Sequence, residues 1–286
     1  MMNTVLGSVL YKHCCVYLDD IIIWADTLEE VLSRTEHIIE LLAQEGLVLS
    51  GIKSEFALRE VSLLGKVIYD GCIYPGADRL QGLKDLKRPT TTSEVRSIHG
   101  LLSHYRQFIK DFAKVCRPIS SLLSKEDKQV TWTDKQEAAL QRIITAIKAS
   151  ALLLARFDLP FIIYSDYSTE GLGAVLVQQV EGREFPVMFT SRKLLPAEER
   201  YSATEGEALA ILFALKRFQP IVQGMEVTLR TDHRPLSFVK SGGEHNRKLA
   251  RWWAELQEFN VNVEYFPGKQ NIVADTLSRF TTASPD

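Results

Sequence analysis

Residues 160–178 of the chain have the sequence PFIIYSDYSTEGLGAVLVQ. An apolar run ends at Asp166, and a second run, 171–178, follows a short polar turn, so both predict β-strands. Downstream, the pattern predicts in order a strand at 185–190, a long helix at 198–219, a strand at 225–231, a short helix, a helix at 246–259, another strand and a helix at 271–279. Three consecutive strands, a helix and a returning strand are typical of an α/β fold, a mixed five-stranded sheet flanked by helices.

Four carboxylates lie where strand ends or helix faces would direct them toward one point: Asp166, Glu207, Asp232 and Asp275. Asp166 and Asp232 end predicted strands, whereas Glu207 and Asp275 lie on predicted helices. Acids in apolar surroundings are costly to leave unpaired, and a divalent cation can satisfy several at once. The arrangement therefore predicts a two-metal nuclease site.

Glu205 is the alternative to Glu207 for the helical ligand, and a solvated helix acid is the alternative to a ligand. At 100° per residue, Glu207 shares a helix face with Ile211 and Ala214, which must pack on the sheet. Glu205 lies about 200° away on the same helix. This geometry favours Glu207.

The composition is that of an ordinary globular protein. Of 286 residues, 45% are hydrophobic and 24% are charged, and the length suits roughly two domains. The formal net charge is −2, so any nucleic-acid surface must be a local basic patch. The four cysteines form no CxxC pair, and no apolar run predicts a membrane span. We expect an intracellular protein with no membrane partner.

The N-terminal third predicts an α+β unit. Residues 10–25 form two apolar strands that meet at Asp19 and Asp20, which predicts a hairpin with acids at its tip. Thr27 is the predicted N-cap of a helix that ends at Gly46. Strands are then predicted at 55–58 and 61–69, with a turn at 70–71.

Helical periodicity replaces the β pattern between residues 83 and 150. Helices are predicted at 93–109, 119–123 and 134–147, with a start near Ser93. The spacing from Ser93 to Arg96 lacks the acid of a capping box. A small helical domain is therefore expected here.

Several short motifs follow one another along the chain: VYLDDI at 16–21, LG at 64–65, GLLSHYRQFI at 100–109, DYS at 166–168, YSATEGE at 201–207, TDH at 231–233, FPGK at 266–269 and ADTLSR at 274–279. Together they resemble the reverse transcriptase and ribonuclease H part of a gypsy-type long-terminal-repeat retrotransposon Pol polyprotein. The resemblance implies a division into 1–84, the C-terminal part of a polymerase palm, 85–150, thumb helices, 151–280, a ribonuclease H-like domain, and 281–286, a tail.

The resemblance also implies roles for the acids. In the ribonuclease H part, Asp166 would bridge two Mg²⁺ ions, with Mn²⁺ as a substitute. Glu207 and Asp232 would complete one ion's site and Asp275 the other's, for cleavage of the RNA strand of RNA–DNA hybrids. In the polymerase part, Asp19 would help hold the magnesium ions of DNA synthesis, and Asp20 would be the second, less essential acid.

Little sequence precedes Asp19, so the resemblance leads us to expect a truncated polymerase whose own activity is lost. Two alternatives to a hybrid nuclease stay open. One is a polymerase subunit that acts on a primer–template duplex when a partner chain supplies the fingers and a missing aspartate. The other is a non-catalytic nucleic-acid-binding remnant. The family implies a cytoplasmic particle or the nucleus as the location.

Basic residues are the candidate nucleic-acid ligands. Arg96, Arg106 and Lys110 recur on the predicted thumb helix with Tyr105 and Phe108 interleaved, although a solvated amphipathic face explains the charges equally well. In the nuclease part, a second basic group precedes two tandem tryptophans and comprises Arg247, Lys248 and Arg251.

Tyr265 stands where retroviral relatives of the family carry a mobile histidine. Contact with the substrate and a place at the edge of the core are equally open for this tyrosine. Residues from about 150 to 286 are long enough for an independent core. We expect them to fold alone and to bind hybrids more weakly than the whole chain does.

Overall fold

A computed structural model describes residues 2–10, 12–76, 87–124, 129–231 and 247–265, and the structural statements below concern these residues. The chain divides into two compact units, 1–61 and 62–286. Within the described ranges, each helix is too short or too polar to cross a lipid bilayer.

The first unit contains the predicted hairpin. After the short helix α1 (Met2–Val5), strands β1 (Cys14–Tyr17) and β2 (Asp20–Ile23) pair antiparallel. Leu18 and Asp19 form the loop between them, and Leu18 has a φ of 52°. Both acids of the pair are exposed, as the sequence predicts for a hairpin tip.

Helix α2 (Leu28–Gln44) follows the hairpin, and both of its predicted ends are confirmed. The Thr27 hydroxyl accepts a hydrogen bond from the Glu30 N–H at 3.2 Å. Beyond the helix, Gly46 has a φ of 71° and donates its N–H to the Ala43 carbonyl at 3.0 Å, which is the left-handed termination that glycine favours. The buried core of this unit comprises Leu6, Val9, Cys14, Ile38 and Leu42.

A four-stranded sheet has the order β3-β4-β5-β6. Its strands are β3 (Glu60–Leu63), β4 (Lys66–Tyr69), β5 (Cys72–Pro75) and β6 (Leu152–Leu153). Leu64 and Gly65 have φ values of 54° and 73°, so they form a turn that divides the single strand predicted at 61–69. The predicted turn at Asp70 and Gly71 is confirmed, with φ values of 48° and 67°.

The prediction of a strand at 55–58 is wrong. These residues have no regular secondary structure, and Ala57 has a φ of 53°. A left-handed backbone angle interrupts the extended conformation that a strand requires.

The helical segment of residues 87–150 contains α3 (Thr92–His104), α4 (Phe112–Val115), α5 (Arg117–Ser120) and α6 (Asp134–Lys148), with 3₁₀ turns at Arg106–Phe108 and Ser121–Ser124.

The helix α3 does begin with a capping box, contrary to the expectation from Ser93. Thr91 accepts the Glu94 N–H at 3.3 Å, and the Glu94 carboxylate accepts the Thr91 N–H at 3.1 Å. The helix predicted at 93–109 ends at His104, because Tyr105 bonds to the Leu102 carbonyl and begins a tighter turn.

The predicted mixed sheet is confirmed. Its strands are β7 (Phe161–Ser168), β8 (Gly171–Val180), β9 (Arg183–Arg192), β10 (Val227–Thr231) and β11 (Val261–Tyr265), in the order β11-β10-β7-β8-β9. The first three are antiparallel neighbours, and β10 pairs in parallel with both β7 and β11. The helix predicted at 198–219 corresponds to α7 (Ala203–Val222), which begins later than predicted because Glu198–Arg200 form a 3₁₀ turn and Ser202 is the N-cap. The helix predicted at 246–259 corresponds to α8 (Arg247–Leu256). The helix predicted at 271–279 lies outside the described residues.

Helices cover both faces of this five-stranded sheet. Phe161 and Ile163 belong to a core that includes residues of α7 and α8. Ile162 and Tyr164 point the other way, because strand side chains alternate, and they belong to a core that includes residues of α3 to α6. The helical segment and the sheet therefore share one apolar core.

Candidate active site

Asp166 lies near the end of β7, where it pairs with Gly173 of β8. The aspartate is exposed. By the alternation of strand side chains it lies on the same face as Tyr164, which is the face that the helices of residues 92–148 cover. The predicted strand that carries Asp166 is therefore confirmed, and the carboxylate near its end is accessible to solvent.

Glu205 and Glu207, the two candidate ligands at the start of α7, have different surroundings. Ser202 is the N-cap, and its N–H donates to the Glu205 carboxylate at 3.0 Å, while the Ser202 hydroxyl accepts the Glu205 N–H at 3.3 Å. The other oxygen of Glu205 lies 3.1 Å from the ammonium of Lys248. Glu205 is therefore occupied as a capping residue and an ion-pair partner.

Glu207 lies two residues further along α7, and one of its carboxylate oxygens is buried. The preceding residue, Gly206, packs directly on the ring of Tyr167: a Cβ atom added to this glycine would lie 2.3 Å from the ring. Because Gly206 adjoins Glu207 and Tyr167 adjoins Asp166, this contact brings the two acid-bearing segments together. Only a glycine permits so close an approach of helix and strand.

The other two predicted ligands, Asp232 and Asp275, lie outside the described residues. Asp232 follows Thr231, the last residue of β10, in the sequence. Among the described residues, no three histidine, cysteine, aspartate or glutamate side chains form a group that could hold a metal ion. The four-carboxylate site therefore stays a prediction, of which the structure describes Asp166 and Glu207.

The three basic residues predicted to form one face of the thumb helix differ in their exposure to solvent. Arg96 and Lys110 are exposed, but Arg106 is half-buried and donates to the Ser191 carbonyl at 2.6 Å. Burial lowers the pKa of the Arg106 guanidinium. Tyr105 and Phe108 are 0% and 2% exposed, so the aromatic residues interleaved with these charges are core residues, not contacts for nucleic acid.

The second basic group also has partners inside the protein. The Lys248 ammonium pairs with Glu205 and lies 3.8 Å from the centroid of the Tyr201 ring. Arg251 is largely exposed, 3.9 Å from Glu255 on the same helix. Trp252 is buried and belongs to the core between the sheet and α7. The side chains of Arg247 and Tyr265 lie outside the described residues, and their substrate roles stay predictions.

Two polar clusters were missed by the sequence analysis. In the first, Arg230 of β10 donates to the Tyr164 hydroxyl at 2.8 Å and to Glu184 at 2.5 Å, and burial raises the pKa of Tyr164 to about 12. In the second, Lys114 and Glu170 form an ion pair of 2.6 Å. Sequence offers no signal for either cluster, because the partners are distant along the chain.

Comparison with known proteins assigns the domain around Asp166 and Glu207. The sequence profile of the RNase H-like domain found in reverse transcriptase matches residues 156–259. Over 93% to 100% of its length, the chain also superposes with a TM-score of 0.81 on two structures of the foamy viral protease-reverse transcriptase, one in complex with double-stranded DNA and the other with an RNA/DNA hybrid. The identity is 20% and 19%, so this likeness shows the fold. The chain therefore carries a ribonuclease H-like domain of the reverse-transcriptase class.

Closer relatives identify the family. The chain is 36% identical to the Pol polyprotein of transposon 297 over 97% of its length, and 33% identical to those of transposons opus and gypsy over 98% and 97%, all from Drosophila melanogaster. It spans 26% to 29% of the length of these relatives. The homologues of the chain are therefore retrovirus-related Pol polyproteins of gypsy and similar transposons, and the chain spans about a quarter of their length.

Proposed function

We propose that the chain is a ribonuclease H that cleaves the RNA strand of RNA–DNA hybrids at a site formed by Asp166, Glu207, Asp232 and Asp275. The observation that carries the proposal is the packing of Gly206 on Tyr167, because it joins the helix of Glu207 to the strand of Asp166. This contact lies within a domain whose profile is that of a reverse-transcriptase ribonuclease H.

The donor set fits a magnesium site. All four proposed ligands are carboxylates, and oxygen donors are those that Mg²⁺ prefers, with Mn²⁺ as a substitute. The two described ligands differ in surroundings: Asp166 is open to solvent, whereas one oxygen of Glu207 is buried. When bound, divalent ions in such a site supply activation of the attacking water and neutralisation of the leaving 3′ oxygen.

The proposed ligand is a hybrid duplex. The foamy viral enzyme that shares this fold was solved with an RNA/DNA hybrid and with double-stranded DNA, which supports a nucleic-acid duplex as the partner. Exposed cations in the second unit, such as Arg96 and Lys110, are available for phosphate contacts. The net charge of −2 means that such contacts must come from local groups.

Strand-specific cleavage by the purified chain tests this function. A hybrid with different fluorophores on its RNA and DNA strands would be incubated with Mg²⁺, and a parallel sample would contain EDTA. We expect RNA fragments only in the magnesium sample and an intact DNA strand in both. Binding without cleavage would instead support the non-catalytic remnant.

A second candidate, DNA synthesis together with a partner chain, is favoured by the hairpin that presents Asp19 and Asp20. Both acids are exposed at or next to the tip, as a metal-binding hairpin requires. Primer extension by the chain alone and with a full-length reverse transcriptase of the same family would test it. Extension above that of the partner alone would support this candidate.

A further inference from the structure

Two cations of the helical segment lie beside the strand end that carries Asp166. Lys114 of α4 and Arg117 of α5 both contact Glu170, at 2.6 and 3.5 Å. Glu170 belongs to the short turn between β7 and β8, which begins after Ser168, the last residue of the strand that carries Asp166. The helical segment thus contributes charge at the edge of the candidate active site.

Nearby carboxylates affect the pKa of Lys114. The pKa of the Lys114 ammonium is raised, chiefly by its hydrogen bond with Glu170 and by the charge of that carboxylate, and further by the negative charges of Asp111 and Asp166. The pKa of Glu170 is lowered by Lys114 and Arg117. Lys114 and Glu170 are therefore charged at neutral pH, and together with the Arg117 guanidinium they carry one net positive charge.

Hydrogen bonds and close packing hold the helices that carry Lys114 and Arg117 against the sheet. The N–H of Ala113 donates to the Ser191 hydroxyl at 2.9 Å, and the Arg106 guanidinium donates to the Ser191 carbonyl at 2.6 Å. Asp111 lies against Gly173, where an added Cβ atom would lie 2.7 Å from the aspartate oxygen. These contacts fix the backbone of the cation-bearing helices on β8 and β9, so only the long side chains need to move.

The turn that carries Glu170 is fixed as well. The Ser168 hydroxyl accepts the Glu170 N–H at 3.3 Å and donates to the Gly171 carbonyl at 3.2 Å. Gly171 approaches the Arg192 carbonyl so closely that an added Cβ atom would lie 2.5 Å from its oxygen. The backbone of the turn is therefore fixed, and its Glu170 carboxylate contacts both cations.

Both cations remain accessible to a further anion. The side chains of Lys114 and Arg117 are 61% and 57% exposed, so a single carboxylate leaves several of their N–H donors in solvent. Exposed ion pairs contribute little free energy, and a phosphate of higher charge can replace the carboxylate.

We propose that Lys114 and Arg117 bind a backbone phosphate of the duplex next to Asp166, and that in the free protein Glu170 occupies these two cations in competition with the phosphate. The identity of the duplex as a hybrid rests on the proposed function. The consequence is that the helical segment forms part of the nuclease's substrate site, through residues other than Arg106.

Duplex affinity of the full chain, measured by fluorescence anisotropy in EDTA with a labelled hybrid, tests this proposal without cleavage. The variants are Lys114→Gln, Arg117→Gln and Glu170→Gln, and the control is Lys148→Gln, which removes an exposed lysine at the end of α6. We expect each of the first two to weaken binding several-fold and to lower the log–log salt slope by about one unit. Glu170→Gln should tighten binding, because it releases both cations, and the control should bind like the unmodified chain.

A purely structural ion-pair cluster gives a different pattern. In that case Glu170→Gln would weaken binding or leave it unchanged, in parallel with the two cation variants, and the proposal would be overturned. Unchanged affinity and slope in Lys114→Gln and Arg117→Gln, with thermal unfolding like that of the unmodified chain, would overturn it as well. Absence of RNA cleavage by the unmodified chain would count against the proposed function alone, because the affinities of the variants are measured in EDTA and do not depend on cleavage.

Discussion

Glu207 and Glu205 differ by only two positions on α7, yet their surroundings predict opposite effects of the same substitution. We expect Glu207→Gln to lower hybrid cleavage by more than about 100-fold, since even groups outside the ligand shell of a metal site typically cost 10- to 100-fold. Glu205→Gln should cleave at nearly the unmodified rate, because glutamine also serves in a capping box. It loses the ion pair with Lys248, for which we expect less than about 1 kcal/mol of stability.

Single-turnover cleavage of a labelled hybrid by both variants is the relevant measurement, with thermal unfolding as the control for folding. Loss of cleavage in Glu205→Gln with full activity in Glu207→Gln would reverse the assignment of the two glutamates.

Glu198 provides a second residue-scale prediction, for stability as a function of pH. It is buried and accepts two hydrogen bonds from Arg192, at 2.6 and 2.9 Å, and one from the Leu195 N–H at 2.8 Å. The Arg192 hydrogen bond is the main cause that lowers the pKa of Glu198. The resulting stabilisation is complete above the unfolded-state pKa of about 4.3 and is lost as the pH falls through the lower, folded-state pKa.

Glu198→Gln should therefore reduce the free energy of unfolding by about 1 to 3 kcal/mol at neutral pH. The difference between the two proteins should shrink as the pH falls below about 4. Urea denaturation of both proteins across this pH range measures it. A difference that does not depend on pH would show that the charge of Glu198 is irrelevant to stability.

At the scale of elements, the junction between α7 and β7 is tested by a pair of glycine substitutions. Gly100 lies in α3 with no heavy atom within 4 Å of an added Cβ, so Gly100→Ala should stabilise the protein by about 1 kcal/mol through helix propensity. Gly206→Ala has the same propensity gain, but its Cβ would lie 2.3 Å from Tyr167. We expect it to lower the unfolding temperature and to reduce cleavage, because Glu207 must shift relative to Asp166. Stabilisation by both substitutions would contradict the close packing of this junction.

Elements that depend on local patterns were predictable from the sequence. The strands around Asp166 and the presence of the long helix α7 follow from periodicity, and the caps at Thr27 and Gly46 follow from capping chemistry. The start of α7 at Ala203, after the N-cap Ser202, was not predicted. The strand predicted at 55–58 failed because short apolar runs do not reveal a left-handed angle such as that of Ala57.

The candidate site was predictable only in part, for a similar reason. Asp166 and Glu207 lie on the elements that the sequence predicts for them. The intramolecular partners of Arg106 and Lys248, which are Ser191 and Glu205, come from distant parts of the chain. A basic residue in a sequence therefore does not reveal whether its charge faces the protein or a ligand.

At the scale of the whole molecule, the shared core revises the expectation that residues 150–286 fold alone. Without the helical segment, apolar side chains on one face of the sheet would lose their covering, namely Ile162, Val175, Val177 and Phe189. We expect the fragment 150–286 to bind an apolar dye and to lack a cooperative thermal transition. The fragment 62–286, which is a compact unit, should unfold cooperatively. Equal cooperative unfolding of both fragments would show that the sheet does not need the helices.

Hybrid cleavage by the full chain and by Asp166→Asn is the most direct test of the proposed nuclease. In Mg²⁺, the unmodified chain should cut the RNA strand and leave the DNA strand intact. Asp166→Asn should bind the same hybrid and unfold at the same temperature without cutting it, because an amide cannot replace a ligand carboxylate. Asp19→Asn, in the other compact unit, should cut like the unmodified chain. Cleavage by Asp166→Asn at the unmodified rate would contradict the assignment of the site.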